Sequence, residues 1–208
     1  MKKLISVLLL SAILMAACNN NKTKDATNSG DKKEANNGTG NSSNTEPSTN
    51  DILQSKNDMA KLMEEMKKMP ALSTDQLKAM LPETMMDMKR SNFSVNSGMG
   101  FGVAEGSYKN EDGSKRFRVQ IYDCAGTAGT AYYSMMYWGM NMEQEDENGY
   151  KKSTTFNGEK AIESYNKNNN EYGLLFPASN RLLVNVEGEN TGLDSVKQAA
   201  KSLNLKVN

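Results

Sequence analysis

The sequence predicts a single α+β domain over residues 51–208, with an antiparallel sheet of about five to six strands and helices packed mainly on one face. Three features lead to this prediction. Amphipathic helical patterns stand at both ends of the region, at 52–69 and 193–203. Four β-like runs follow one another from 150 to 187, and the connections between them are short turns. Runs of consecutive strands joined by tight turns are typical of an antiparallel sheet, so the predicted order is ααββαββββα.

Residues 51–90 are predicted to form a Met-rich helical segment. Apolar residues recur there at spacings of three, four and seven, which indicates an amphipathic helix, and Pro70 ends it. Ser73 and Gln76 fit a capping box that opens a second, short helix, which ends before Pro82. The apolar positions of the first helix are Ile52, Met59, Leu62, Met63, Met66 and Met69.

Residues 91–208 are predicted to hold the sheet and two further helices. A turn at 110–113 suits a hairpin, and Asn157-Gly158 is a strong two-residue hairpin signal. The acidic run 143–149 is predicted to be a solvated loop. The predicted helices cover 127–142 and 193–203, and the predicted strands cover 101–109, 114–122, 150–155, 160–165, 172–176 and 181–187.

The first 17 residues have the pattern of a bacterial lipoprotein signal peptide. Lys2 and Lys3 precede an apolar run of eleven residues, which is too short for a membrane-spanning helix of about 20 residues. The run ends in Ala16-Ala17-Cys18, which resembles a lipobox with Met15 in the place usually held by leucine. We therefore predict cleavage before Cys18 and acylation of its thiol, for example with palmitate.

Residues 18–50 are predicted to be the lipidated cysteine followed by a disordered tether. From Asn19 to Asn50 the chain has no aromatic residue and no aliphatic residue larger than alanine, so it cannot bury enough surface to fold. The reach of such a flexible chain would be about 30 Å. The sequence thus predicts a membrane partner through the N-terminal lipid.

Composition excludes several classes of function. Basic and acidic residues number 25 each, which gives no basic footprint for nucleic acid. The chain contains no histidine, so Ser-His-Asp and Cys-His mechanisms have no imidazole, and common zinc sites lose their usual ligand. We expect neither an enzyme nor a cofactor; a hydrolase of unfamiliar type is the least favoured alternative.

Cys124 stands at the junction of a predicted strand and a predicted helix. A thiol at a helix N-terminus can be reactive, and the glycines at 126 and 129 raise the question of a phosphate loop. Two residues separate those glycines and no lysine follows, so the spacing of a P-loop is not met. We interpret the stretch as a turn with a small apolar thiol.

Methionine is enriched, with fifteen in the chain and eight between 59 and 88. Thioethers are soft ligands that suit Cu(I), so periplasmic Cu(I) binding by Met59, Met63, Met66 and Met69 is an alternative function. The same residues occupy the positions that an amphipathic helix buries, and Met fills irregular cores well. Packing is the favoured interpretation.

The predicted helix at 127–142 is apolar nearly all round. Such a helix is packed on more than one side, and part of its surface is a candidate pocket or partner surface, because Tyr and Trp combine apolar area with one polar group. The candidate ligand is a protein or a small apolar molecule. The candidate residues are Tyr132, Tyr133, Met136, Tyr137 and Trp138.

The stretch from Asp112 to Gly188 resembles a domain of small envelope lipoproteins of Bacteroidetes type. The resemblance rests on 115–123, on Gly149-Tyr150, on Asn157-Gly158 with Ala161 and Tyr165, and on Asn180-Arg181 leading into Leu183-Val184. It implies a lipid anchor and an α+β domain, and it carries no assigned activity. In a host with two membranes, an Asp directly after the lipidated cysteine retains a lipoprotein at the inner membrane. Asn19 stands at that position, which favours the outer membrane, facing the periplasm. The leading prediction is a non-enzymatic, membrane-anchored binding module of the cell envelope with an unknown ligand.

Overall fold

The computed structural model describes residues 49–207, and the side chains from residue 56 onward. The signal peptide at 1–17, the acylated Cys18 and the tether up to residue 48 lie outside the described residues and stay predictions. The described residues form one compact unit.

Four helices and nine strands make up the described chain. The helices are α1 (Thr49–Met66), α2 (Thr74–Met80), α3 (Gly126–Trp138) and α4 (Leu193–Lys201). The strands are β1 (Thr84–Met85), β2 (Met88–Asn96), β3 (Gly102–Lys109), β4 (Arg116–Asp123), β5 (Glu143–Asp146), β6 (Gly149–Phe156), β7 (Glu159–Asn166), β8 (Glu171–Ala178) and β9 (Leu182–Glu189).

All nine strands belong to one antiparallel sheet with the order β1-β2-β3-β4-β9-β8-β7-β6-β5. The first four strands follow one another as neighbours. Helix α3 then carries the chain from β4, near the middle, to β5 at the far edge, and the last five strands return towards β4. The two halves of the sheet are joined where β4 pairs with β9, from Arg116 opposite Glu189 to Asp123 opposite Leu182.

Helices cover both faces of this sheet. Leu182 and Val184 of β9 are buried in one apolar cluster with residues of α2 and α4, whereas Leu183 is buried in a second cluster with Met66 of α1 and Tyr133 of α3. Because successive side chains of a strand point to opposite faces, the two clusters lie on opposite sides of the sheet. We call these sides the α2/α4 face and the α1/α3 face.

The predicted architecture is wrong in two respects. The sheet has nine strands and not five to six, and the helices are divided between its two faces and not packed mainly on one. The prediction missed β1 and β2, which follow the Met-rich helices, and it missed β5. Of the acidic run 143–149 predicted as a loop, the first four residues are this edge strand; they are exposed and pair with β6, and residues 147–148 form the turn between the two strands.

Several local signals have the structure that their chemistry dictates. Ser73 and Gln76 form the capping box at the start of α2. Asn157 and Gly158 form the β6–β7 turn with φ angles of 53° and 84°, as the two-residue hairpin requires. Helix α3 is shorter than the predicted 127–142, because it ends at Trp138 with Gly139 as its C-cap.

A buried ion pair fixes the end of β4. The Arg181 guanidinium donates to both carboxylate oxygens of Asp123, with Nε–Oδ1 at 2.8 Å and Nη2–Oδ2 at 2.9 Å. The same carboxylate accepts from the Leu72 amide at 2.7 Å, and Nη2 donates to the Pro70 carbonyl at 2.7 Å. The pair therefore attaches the connector between α1 and α2 to the sheet.

Candidate functional site

Cys124 is fully buried at the junction of β4 and α3. Its Sγ lies 3.6 Å from the Tyr122 carbonyl oxygen. Burial raises the pKa of the thiol to about 12, because the apolar surroundings disfavour the thiolate. The position at a helix N-terminus therefore does not produce a nucleophile here, in agreement with its interpretation as a turn residue.

Helix α3 divides the predicted pocket residues between two of its sides. Tyr133 and Tyr137 stack with ring centroids 5.8 Å apart and point towards α1. Tyr132 and Met136 lie one helical face away and point over the sheet. Trp138 is 48 % exposed and meets the edge of Tyr137. The five residues therefore do not form one pocket.

The first of the two clefts lies between α1, α3 and the β8–β9 turn, and we call it the α1 cleft. Its volume is about 500 Å³. Its lining mixes apolar side chains, such as Leu62 and Tyr137, with charged ones such as Asp58 and Glu159. The ammonium of Lys160 lies 5.5 Å from the Tyr137 ring centroid, so a cation of the chain itself already occupies that aromatic face.

The second cleft lies between α3 and the α1/α3 face of the sheet, and we call it the α3 cleft. Its volume is about 340 Å³. One wall is apolar and comes from the Tyr132, Met135 and Met136 side of α3. The sheet forms the floor, whose polar part, here called the polar floor, includes Asn185 and Glu187 of β9 and whose apolar part comes from β7 and β8. A cleft with an apolar wall and a few convergent polar groups is the usual form of a ligand site.

Hydrogen bonds hold the floor of the α3 cleft in place. Asn185 Nδ2 donates to Glu187 Oε1 at 3.0 Å and to Gln120 Oε1 at 3.4 Å. Gln120 Nε2 donates to Glu105 Oε2 at 3.1 Å, and the Tyr122 hydroxyl donates to Gln120 Oε1 at 3.3 Å. This chain of contacts links β3, β4 and β9 and fixes the orientation of their polar side chains.

A row of polar residues extends from this floor across nearly the whole sheet. At one register position, the residues that lie opposite one another in successive strands are all polar or glycine. They all belong to the α1/α3 face, and we call them the polar row. Helices α1 and α3 leave this part of the face open. From β2 to β5 the polar row consists of Asn92, Ser107, Arg118, Glu187, Gly173, Ser164, Lys151 and Gln144.

Glu187 lies where three depressions of the open surface adjoin one another. It lines the α3 cleft and also two neighbouring depressions of about 310 and 340 Å³. Arg118 Nη1 lies 3.7 Å from Glu187 Oε2, while Glu171 lies on the other side of it. Burial, followed by the charge of Glu187, raises the pKa of Glu171.

The aromatic end of the α3 cleft consists of Tyr122 and Tyr132, whose ring centroids are 5.2 Å apart. Phe101 stacks on Tyr132 from the other side at 5.1 Å. Burial raises the pKa of Tyr122 to about 12, and the neighbouring Tyr132 adds to this effect. Both hydroxyls therefore stay protonated at neutral pH and can donate hydrogen bonds.

The four methionines of the Cu(I) alternative belong to the second apolar cluster. Met66 is completely buried, and Met59, Met63 and Met69 are partly buried against it. These contacts are those of a helix packing stripe, as the amphipathic pattern of α1 predicts. Within the described residues, no group of three or more His, Cys, Asp or Glu side chains is arranged to hold a metal ion.

The sequence patterns did not predict the polar floor. They place Arg118, Gln120 and Tyr122 in a predicted strand and assign them no role. Asn185 and Glu187 give the matching signal, since they alternate with buried apolar residues along β9. Their place opposite Gln120 and Arg118 depends on the β4–β9 pairing, which links positions more than 60 residues apart.

Comparisons with known proteins returned no similar chain: no protein-family model, no curated protein and no solved structure matches. The resemblance to small envelope lipoproteins of Bacteroidetes type therefore stays a prediction. In the part of the chain that the structure describes, no helix is both long and apolar enough to cross a membrane.

Proposed function

We propose that this chain is a lipid-anchored protein of the bacterial cell envelope whose domain is a non-enzymatic binding module. In this proposal the acylated Cys18 holds the protein at the outer membrane, and the tether lets the domain sample the periplasm. The α3 cleft is the ligand site. The bound molecule has an apolar side, which faces Tyr132 and Met136, and a polar edge, which faces Asn185 and Glu187.

The fixed polar floor beneath an apolar wall is the observation that carries this proposal. Asn185, Gln120 and Glu187 are joined by hydrogen bonds, so their orientation is set before a ligand arrives. A ligand that meets an ordered site loses less binding energy to ordering its side chains. The polar floor also narrows the ligand class, because a wholly apolar molecule would cover the charged Glu187 and the Asn185 amide without forming a hydrogen bond to either.

The chemistry of the chain favours binding over catalysis. The sequence has no histidine, and the thiol of Cys124 is buried with a raised pKa. General-base activation of a hydroxyl or thiol needs a basic group within hydrogen-bond reach of the nucleophile. Asn185 and Gln120 are amides and supply no such base. Glu187 is a carboxylate, but its Oε1 accepts from Asn185 Nδ2 at 3.0 Å and its Oε2 lies 3.7 Å from Arg118 Nη1.

The anchoring part of the proposal is tested by labelling cells with an alkyne analogue of palmitate. We expect the wild-type chain to take up the label and to sediment with membranes, and the Cys18→Ala variant to lose both properties. A label that persists in Cys18→Ala would refute acylation at this residue.

The binding part is tested by native mass spectrometry of protein isolated from envelope preparations. We expect a bound small molecule on the wild-type chain, and its loss from variants Tyr132→Ala and Asn185→Leu. Tyr137→Ala alters the α1 cleft and is the matched control, which should keep the bound mass. Loss in Tyr137→Ala alone would place the ligand in the α1 cleft and refute the assignment.

A further inference from the structure

The polar row is wider than a small-molecule site requires. From Arg118 to Lys151 it crosses five strands through Glu187, Gly173 and Ser164. At a strand spacing of about 4.8 Å this distance is about 19 Å. The surface therefore suits an extended molecule that begins in the α3 cleft and continues over the open sheet.

Hydrogen-bonding groups on this surface are of both kinds. Glu187 and Glu105 accept, Arg118 and Lys151 donate, and Asn185, Gln120 and Ser164 do both. A ligand rich in hydroxyl groups matches such a surface at every position, because each hydroxyl is a donor and an acceptor. A peptide backbone, in contrast, presents its donors and acceptors in a fixed alternation.

Charges of both signs alternate along the polar row and its floor. The positive groups of Arg118 and Lys151 share the surface with the carboxylates of Glu187, Glu171 and Glu105, and Arg118 Nη1 lies 3.7 Å from Glu187 Oε2. A polyanion would meet the carboxylates, and a polycation would meet the two cations. The surface therefore favours a ligand without net charge.

The aromatic end of the cleft provides an apolar contact surface. The Tyr122 and Tyr132 rings lie 5.2 Å apart beside the polar floor. A pyranose ring has an apolar face of C–H groups and an edge of hydroxyls, so it can contact an aromatic side chain and polar side chains at once. Gly173 is buried in the middle of the row, and the Ser164 side chain covers it, so Ser164 and Glu187 present the polar groups of this part of the surface.

From these features we infer that the α3 cleft and the polar row together bind a neutral oligosaccharide, with one sugar against Tyr122 and Tyr132 and the following sugars over Glu187 and Ser164 towards Lys151. The inference rests on the proposed function and specifies its ligand. Sugar hydroxyls donate hydrogen bonds to the Glu187 carboxylate and accept them from the Arg118 guanidinium, and these bonds carry the affinity. The tyrosines fix one end of the oligosaccharide.

Isothermal titration of the unlipidated chain 18–208 carrying Cys18→Ala tests this inference. The probes are neutral hexasaccharides of glucose, mannose, xylose and N-acetylglucosamine, each compared with its monosaccharide. We expect at least one hexasaccharide to bind, its monosaccharide to bind more weakly, and the affinity to stay the same at high salt, since a neutral ligand is not screened.

Two exposed or half-exposed positions provide variants that leave the core intact. Glu187→Ala and Arg118→Ala are each expected to weaken hexasaccharide binding about tenfold or more, because each removes a charged hydrogen-bonding partner. Glu159→Ala alters the α1 cleft and should bind as wild type does. Circular dichroism confirms that each variant is folded.

Two results would overturn the inference. They are no binding by any hexasaccharide, and binding that Glu159→Ala weakens while Glu187→Ala does not. If the native mass spectrum still shows a small molecule that Tyr132→Ala releases, the proposed function survives and the oligosaccharide assignment alone fails. If neither experiment detects a ligand, both fail.

Discussion

Replacing Asp123 with alanine should destabilise the protein by about 3–5 kcal/mol, since it leaves a buried arginine without its counter-charge. The Asp123 side chain is completely buried and that of Arg181 is 7 % exposed. Two charged hydrogen bonds disappear with the carboxylate, and the Leu72 amide loses its acceptor as well. The end of β4 and the α1–α2 connector would then separate.

Urea unfolding followed by circular dichroism measures this loss directly. For a domain of this size each kcal/mol lowers the melting temperature by about 2–4 °C, so the expected decrease is about 6–20 °C. Glu65→Ala is the matched control, because its ion pair with Lys61 spans 3.9 Å between exposed side chains. Such a pair contributes less than about 1 kcal/mol.

A double-mutant cycle decides whether the loss of stability comes from the interaction between Asp123 and Arg181. Arg181→Ala and the double variant complete the cycle, and removing both charges should cost less than the sum of the two single losses. If Asp123→Ala costs no more than Glu65→Ala, or if the two losses simply add, the role given to this ion pair is wrong.

Three further predictions follow from burial and packing. The Cys124 thiol in the Cys18→Ala background should react with Ellman's reagent only after unfolding, since its pKa is about 12; rapid reaction of the folded chain would contradict its burial. Gly129→Ala should lower the melting temperature although alanine favours helices, because the new Cβ would lie 2.5 Å from the Cys124 carbonyl carbon; a higher melting temperature would refute that contact. Burial alone would raise the pKa of Glu163, but hydrogen bonds from Tyr150 and Lys197 outweigh it and lower the pKa below 4.5. The folded state thus gains stability from ionised Glu163 above pH 4.5 and loses it as the pH falls through the lowered pKa. In urea titrations at decreasing pH, the free energies of unfolding of wild type and Glu163→Gln should therefore converge. A difference that stays constant with pH would contradict this prediction.

Sequence patterns predicted the elements whose signals are local. The capping box at Ser73, the Asn157-Gly158 turn and the junction at Cys124 depend on residues within a few positions of one another. Strand β5 lacks such a signal, because its four residues are acidic or amide and become a strand only by pairing with β6. Strand propensity depends strongly on neighbours of this kind.

The placement of helices on both faces had a signal that the prediction did not use. Leu182, Leu183 and Val184 form a continuous apolar run, and all three are completely buried. A run without alternation indicates a strand covered on both sides. The α3 cleft was partly predictable, since Tyr132 and Met136 were recognised, but its floor arises from strands far apart in sequence and needs the fold.

The position of β9 in the sheet determines when the fold can be completed. This strand is the last of the nine in the described residues, yet it lies at the centre of the sheet, between β4 and β8. Until β9 has been synthesised, Phe117, Val119 and Ile121 of β4 lack their neighbours on β9, and the hydrogen-bonding edge of β4 is open to other chains. A polypeptide truncated before Leu182 therefore lacks a central strand of the sheet and not an edge strand. We expect such a truncated chain to aggregate or to be degraded by proteases.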